Sequence, residues 1–163
     1  MAVAAHLLRT LASVPPGARV VEVGGGAGET AEALVRLGFD VWAADPDDAG
    51  VEAARERLAP LLGPDEAQRR VTRAEPGALG FPDAWADWAV LAAPPGVGTP
   101  ALDESVAEAA RVLRPGAWLW VQGAVDPARL DAAAERAGLV TAEPPATEGG
   151  AAHAVYRRPG GVG

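Results

Sequence analysis

The stretch from Arg19 to Leu37 constrains this chain most. Val20-Val21-Glu22-Val23 is a short apolar strand, Gly24-Gly25-Gly26-Ala27-Gly28 is a glycine-packed turn, and Glu29 to Leu37 follows with helical spacing. Glycines at 24, 26 and 28 let the backbone turn tightly and let a ligand lie directly against it. A helix opening behind such a turn points free N–H groups and its positive dipole end at whatever sits there. The unit reads as a nucleotide-type cofactor site at the carboxyl edge of a first β-strand. The alternative is an ordinary glycine loop between strand and helix.

The dinucleotide fingerprint spaces its glycines G-x-G-x-x-G. Here the spacing is Gly24-x-Gly26-x-Gly28, and Glu29 opens the helix. A glutamate there repels a pyrophosphate, so a cofactor with a positive centre and no phosphates fits better. Glu22, two residues before Gly24, adds a second negative group. Asp45 ends the second strand, about twenty residues past the turn, where an acid can accept both ribose hydroxyls. A turn or helix-capping role is the alternative for Asp45.

The rest of the chain supplies the elements such a unit needs. Ala2 to Leu11 reads as a short helix with Leu7, Leu8 and Leu11 on one side. Pro15-Pro16-Gly17 breaks the chain before strand one, Arg19 to Val23. Gly38 ends the helix after the glycine turn. Phe39 to Ala44 reads as strand two, and Asp47 or Asp48 caps a helix from Ala49 to Leu62. Gln68 to Thr72 reads as a short third strand, and Ala86 to Ala93 as a fourth, buried on both faces. Leu102 to Leu113 is an amphipathic helix, and Ala117 to Gln122 a fifth strand. Asp126 caps a helix with Pro127 in its first turn, ended by Gly138. Leu139 to Ala142 and Ala151 to Arg158 read as two closing strands joined by a Pro/Gly loop.

Alternating strands and helices predict an α/β fold: a Rossmann-like, doubly wound, seven-stranded and mostly parallel sheet with an antiparallel C-terminal hairpin. Residues 1–163 read as one domain. Residues 1–17 form a helix and linker, 18–122 the cofactor-binding core, and 123–163 a helix and the edge hairpin. The ligand is expected beyond the carboxyl ends of the strands, where strand order reverses.

Composition narrows the chemistry. The 163 residues are 49% hydrophobic, enough for one packed core. No apolar run approaches 18 residues and no signal peptide is visible, so no membrane partner and a cytoplasmic location are expected. Without cysteine there is no disulfide and no thiolate chemistry. The two histidines, His6 and His153, stand at opposite ends of the sequence, and no metal site is expected from them. Net charge is −8, and an acidic surface argues against a nucleic-acid substrate.

The pattern Glu22-x-Gly24-x-Gly26-x-Gly28 resembles motif I of the class I S-adenosylmethionine (SAM) dependent methyltransferases. Arg73 to Asp87 is similar, without gaps, to that family's loop after strand three and its entry to strand four. Glu75 falls on the acidic position that meets the adenine amino group. Pro76 falls on the next residue, whose backbone N–H meets an adenine ring nitrogen. Leu79, Phe81, Pro82, Asp83 and Asp87 also match. Two departures stand out: Pro76 has no N–H to give, and Glu75 replaces Asp, so adenine recognition is expected to be looser or displaced. Glu104 to Val121 resembles the family's post-motif, where Arg111-Val112-Leu113-Arg114-Pro115-Gly116 ends a helix and starts strand five. The subgroup resembled is the small ubiquinone- and menaquinone-biosynthesis-type methyltransferases.

The resemblance implies SAM as cofactor and S-adenosylhomocysteine as product. It implies binding by Glu22, Gly24, Gly25, Gly26, Gly28, Asp45, Pro46, Glu75, Pro76 and Ala92. It also implies methyl transfer to an acceptor, small molecule or protein, that the sequence does not name. No catalytic base stands out. His6 lies where such enzymes build a lid over the cofactor, but a lone histidine there reads as a surface residue, and His153 reads as structural. Ala92-Ala93-Pro94-Pro95-Gly96 lacks the polar and aromatic residues of amine-methylating enzymes and reads as a rigid loop. Most of the five tryptophans read as core packing, Trp118 and Trp120 on one sheet face. The core is nearly bare of insertions, which leaves three readings: an open site, a pocket completed in a homodimer, or a non-catalytic SAM-binding or interaction module. A NAD-dependent oxidoreductase is disfavoured by the glycine spacing and Glu29.

Overall fold

The computed structural model describes residues 4–93 and 99–160. Along the chain run α1 (Ala5–Leu11), β1 (Arg19–Val23), α2 (Glu29–Arg36), β2 (Asp40–Asp45), α3 (Asp48–Leu62), α4 (Pro64–Arg70) and β3 (Val71–Arg73). There follow β4 (Ala86–Ala93), α5 (Thr99–Val112), β5 (Leu113–Gly123), α6 (Pro127–Arg136), β6 (Val140–Glu148) and β7 (Ala151–Arg157). The sheet order is β3-β2-β1-β4-β5-β7-β6. β1 to β5 pair in parallel, and β7 runs antiparallel to both β5 and β6. This is the seven-stranded Rossmann-like architecture that the sequence predicts, and its strand order reverses between β1 and β4.

Successive strand residues face opposite sides of the sheet, so each apolar run feeds two cores. Val21, Leu91, Leu119 and Val121 pack with Val106 and Leu130 of α5 and α6. Val20, Val41, Val90 and Trp120 pack with helices on the other side, through Leu7 of α1 and Leu34 of α2 among others. The side chain of Glu22 shares a face with Val20, the side covered by α1, α2 and α3. Asp47 caps α3 by accepting from the Ala49 N–H at 3.3 Å, and Asp126 caps α6 by accepting from the Ala128 N–H at 3.0 Å. The tryptophans pack as expected: Trp88 and Trp118 stack at 5.9 Å, and Trp42 meets Trp85 edge-on at 5.2 Å.

Three expectations need correction. Gln68 to Arg70 are helical, and β3 begins only at Val71. Residues 64–70 carry a full set of helix signals: Pro64 in the first turn, Asp65 and Glu66 behind it, and Arg69 and Arg70 at the end, both bonded to Glu66. β5 starts at Leu113, so Arg114-Pro115-Gly116 lies inside it, taken up by an irregularity in the pairing with β4 between Ala86 and Trp88. β6 continues through Pro144 and Pro145 to Glu148, and the hairpin loop shrinks to Gly149-Gly150 at φ 61° and 81°. Proline is tolerated because β6 is an edge strand whose outer side needs no donors. The pairing shifts register on both sides of Glu143.

Candidate functional site

The glycine turn lies at the carboxyl end of β1, against β4. A Cβ at Gly24 would stand 2.8 Å from the Ala92 carbonyl oxygen, so these two predicted residues are in contact. Gly28 caps α2, and its carbonyl accepts from the Glu32 N–H at 2.9 Å. Two glycines are indispensable for different reasons. At Gly25 a Cβ would fall 1.3 Å from Glu22 Oε1, because the Glu22 carboxyl fills the space under the turn. At Gly26 φ is +62° and nothing lies within 4 Å of a Cβ, so its outer face is open.

A cavity of about 270 Å³ opens beside the turn. Glu22, Gly24, Gly25 and Gly26 form one wall, Val90 and Ala92 of β4 the floor, and Trp120 and Gln122 of β5 the far side. Ala4 and Leu7, at α1, close it from above, and Glu29 and Thr30 line it where α2 opens. The sequence reading did not place Ala4, Leu7, Thr30, Val90, Trp120 or Gln122 here. The period-two spacing of Trp120 and Gln122 on β5 was the available signal. Trp120 both packs in the core and faces the cavity.

Glu22 dominates the electrostatics. It is 3% exposed, and its Oε2 has no hydrogen-bond partner among the described residues. Burial, then the neighbouring Asp45 charge, pushes its carboxyl up to about 7, against a backbone hydrogen bond from Ala31. A buried, half-satisfied carboxyl beside a cavity is a site for a cation or a hydrogen-bond donor.

Asp45 braces the turn. Its Oδ2 accepts from the Gly26 N–H at 3.0 Å, and its Oδ1 accepts from the Asp47 N–H at 2.9 Å. Each oxygen retains acceptor capacity for a further donor. The Asp45 carbonyl accepts from the Ala74 N–H at 3.0 Å, which sets the loop carrying Glu75 and Pro76 beside the end of β2. Pro46 accepts from Arg73 Nε at 3.2 Å. Glu75 is exposed and Pro76 partly so. Asp45, Pro46, Glu75 and Pro76 do not line the cavity; Asp45 is buried against the glycine turn, and the loop carrying Glu75 and Pro76 lies beside the end of β2. Arg111, beside Glu108, holds that carboxyl below its ordinary range, and Glu108 accepts from the Leu79 N–H at 2.7 Å. The post-motif helix thereby anchors the same loop. Of the Ala92 to Gly96 segment, residues 94–96 lie outside the described residues.

The two histidines do meet, against the expectation drawn from their separation. His6 Nε2 lies 2.7 Å from Glu143 Oε1, the imidazole rings are 3.9 Å apart, and Trp120 Nε1 donates to His6 Nδ1 at 2.9 Å. Closing the sheet with β7 next to β5 brings His153 opposite Gln122. His6, expected as a lone surface residue, is instead bonded to Trp120 and Glu143 and packed on His153.

The sequence matches a family model described as a methyltransferase domain over residues 20–116. The chain belongs to the methyltransferase-domain family. It is a methyltransferase whose acceptor is unidentified. No curated protein is detectably similar to it in sequence. Among solved structures, TrmN from Thermus thermophilus is 27% identical, with a TM-score of 0.72 over 94% of this chain and 47% of that one. The [4+2]-cyclase SpnF is 17% identical, with a TM-score of 0.72 over 96% and 82%. A geranyl diphosphate methyltransferase in complex with GPP and sinefungin is 16% identical, with a TM-score of 0.71 over 94% and 75%. The last two share the fold with this chain. Among the described residues no helix is long and apolar enough to cross a membrane.

Proposed function

We propose that this methyltransferase binds SAM across the carboxyl ends of β1, β2 and β4 and methylates a small, uncharged or cationic acceptor in the cavity under α1. The observation that carries the binding site is Glu22, a buried carboxyl that lines the cavity and keeps one oxygen unpartnered among the described residues. The methionine part of SAM bears an ammonium and a carboxylate, with the sulfonium beside them, and a carboxylate of the protein complements the two cationic groups. The open face of Gly26 and the first turn of α2 accommodate the ligand backbone-close. Asp45 and Pro46 would take the ribose, and the Glu75–Pro76 loop the adenine. At about 270 Å³ the cavity lies just below the usual range for ligand pockets, so the nucleoside belongs outside it, along Asp45 and the Glu75–Pro76 loop.

When bound, the cofactor supplies an activated methyl electrophile, so the protein's task is chiefly alignment. Val90, Trp120, Leu7 and Ala4 exclude water and hold the acceptor, while Gln122 offers one amide to a polar atom of it. Among the described residues no arginine lines the cavity, and its ionisable groups are glutamates. An anionic acceptor would therefore be repelled. The absence of cysteine fits a cytoplasmic enzyme.

Calorimetric titration with SAM, S-adenosylhomocysteine and NAD tests the binding site. Micromolar binding of the first two without NAD is expected, and failure of both overturns the assignment. Because a [4+2]-cyclase shares the fold, the acceptor screen must read S-adenosylhomocysteine formation and not binding alone. Turnover only with carboxylate or phosphate acceptors would refute the acceptor class.

A further inference from the structure

Three elements remote in sequence converge beside the cavity. His6 of α1, Glu143 of β6 and His153 of β7 each place one ligand atom within 4.8 Å of the other two. They include both histidines of the chain. His153 is only 8% exposed, and its ring packs on that of His6. A nearly buried imidazole packed on a second imidazole, with a carboxylate in reach of both, presents three donor atoms that can converge on one cation. We infer that His6, Glu143 and His153 form a binding site for a divalent transition-metal ion of the zinc type. Two imidazoles and one carboxylate are a donor set of open zinc sites, in which water or another ligand completes the coordination.

Trp120 makes the inference specific. An indole N–H only donates, so its 2.9 Å bond to His6 fixes Nδ1 as an acceptor. The ring proton then sits on Nε2 and is given to Glu143. A metal ion at Nε2 replaces that proton, which leaves to solvent. Nδ1 takes up one proton from solvent, so the imidazole stays neutral overall. The Trp120 N–H thereby loses its acceptor and must turn away. Two hydrogen bonds, Trp120 to His6 and His6 to Glu143, are exchanged for three coordination bonds, and Trp120, which also lines the cavity, reports the exchange. The ion would tie α1 to the C-terminal hairpin, and α1 carries Leu7 over the cavity.

The test uses the full chain, freed of metal with a chelator and without cofactor. Zn²⁺ alone is titrated by calorimetry, and Co²⁺ by its visible absorption. Wild type is expected to bind one equivalent at micromolar affinity or better, with a change in tryptophan fluorescence that Trp120→Phe removes. His153→Ala and Glu143→Ala, checked for folding by circular dichroism, should each lose at least about 100-fold in affinity. Trp120→Phe should bind as tightly as wild type or more tightly, because the competing donor is gone. Absence of saturable Zn²⁺ and Co²⁺ binding, or binding unaffected by His153→Ala and Glu143→Ala, would overturn the site. Neither result bears on whether SAM binds at Glu22.

Discussion

Replacing Glu22 by Gln removes one ionisable proton from the wall of the cavity while keeping nearly the same shape. In the folded chain this carboxyl titrates at about 7, against 4.5 for an ordinary glutamate. Between those two pH values the unfolded chain has lost the proton and the folded chain has kept it. Raising the pH through this window therefore favours unfolding. Two and a half pH units at about 1.36 kcal/mol each come to about 3 kcal/mol. The loss is absent below the lower value and complete above the upper one. Other carboxylates, such as Glu108, are shifted the opposite way, so wild type alone would not isolate the effect. The difference between wild type and Glu22→Gln does. Relative to the variant, wild type should lose about 3 kcal/mol between pH 4.5 and pH 7, or roughly 6–12 °C in Tm for a domain of this size. Urea unfolding across the pH range measures it. The same group predicts the ligand response: ionised Glu22 holds the cofactor's cationic end, so SAM affinity should fall about tenfold per unit as pH drops below 7. Glu22→Gln should flatten that slope and bind more weakly throughout. A stability difference that does not vary from pH 4.5 to 7 would refute the argument that the buried carboxyl carries this free energy.

Further outcomes follow from neighbouring contacts. Gly26→Val meets no atom but forces a β-branched residue to φ +62°, so the fold should survive at a cost of about 1–2 kcal/mol while SAM binding is lost by calorimetry. Gly25→Ala drives a methyl into the Glu22 carboxyl, and should lower both Tm and SAM affinity. Asp45→Ala leaves the Gly26 and Asp47 N–H groups without an acceptor, and should cost about 1–3 kcal/mol and at least tenfold in SAM affinity. Tyr156→Phe removes the 2.8 Å bond to Asp131 and should cost about 1 kcal/mol in urea unfolding without changing SAM affinity.

Where the chain carried several local signals at once, the structure was legible beforehand. β1, the glycine turn and α2 combine an apolar run, glycines and a helical period, and they stand as read. Residues 64–70 were missed because a seven-residue helix has little room for an apolar period, although its proline start and charged ends were present. β6 was cut short at Pro144-Pro145 because proline ordinarily ends a strand, and only its place at the sheet edge removes that objection. Glu22 and the glycines were read from sequence, but the unpartnered Oε2 and the cavity were not, since both depend on how β4, β5 and α1 close around them. The meeting of His6, Glu143 and His153 left no local trace at all. It exists only because β7 inserts between β5 and β6 and α1 lies across their ends.

The rims of the sheet also decide how this protein can meet its own kind. On one side β3 offers three residues, too few to template another strand. On the other, β6 is exposed at every residue but Pro145, yet Pro144 and Pro145 give no N–H and the register shifts around Glu143. Both borders are thus blunted against edge-to-edge stacking. A chain this rich in short apolar strands would otherwise be a ready seed for fibrils, and association that keeps the fold intact is left to helix faces and loops.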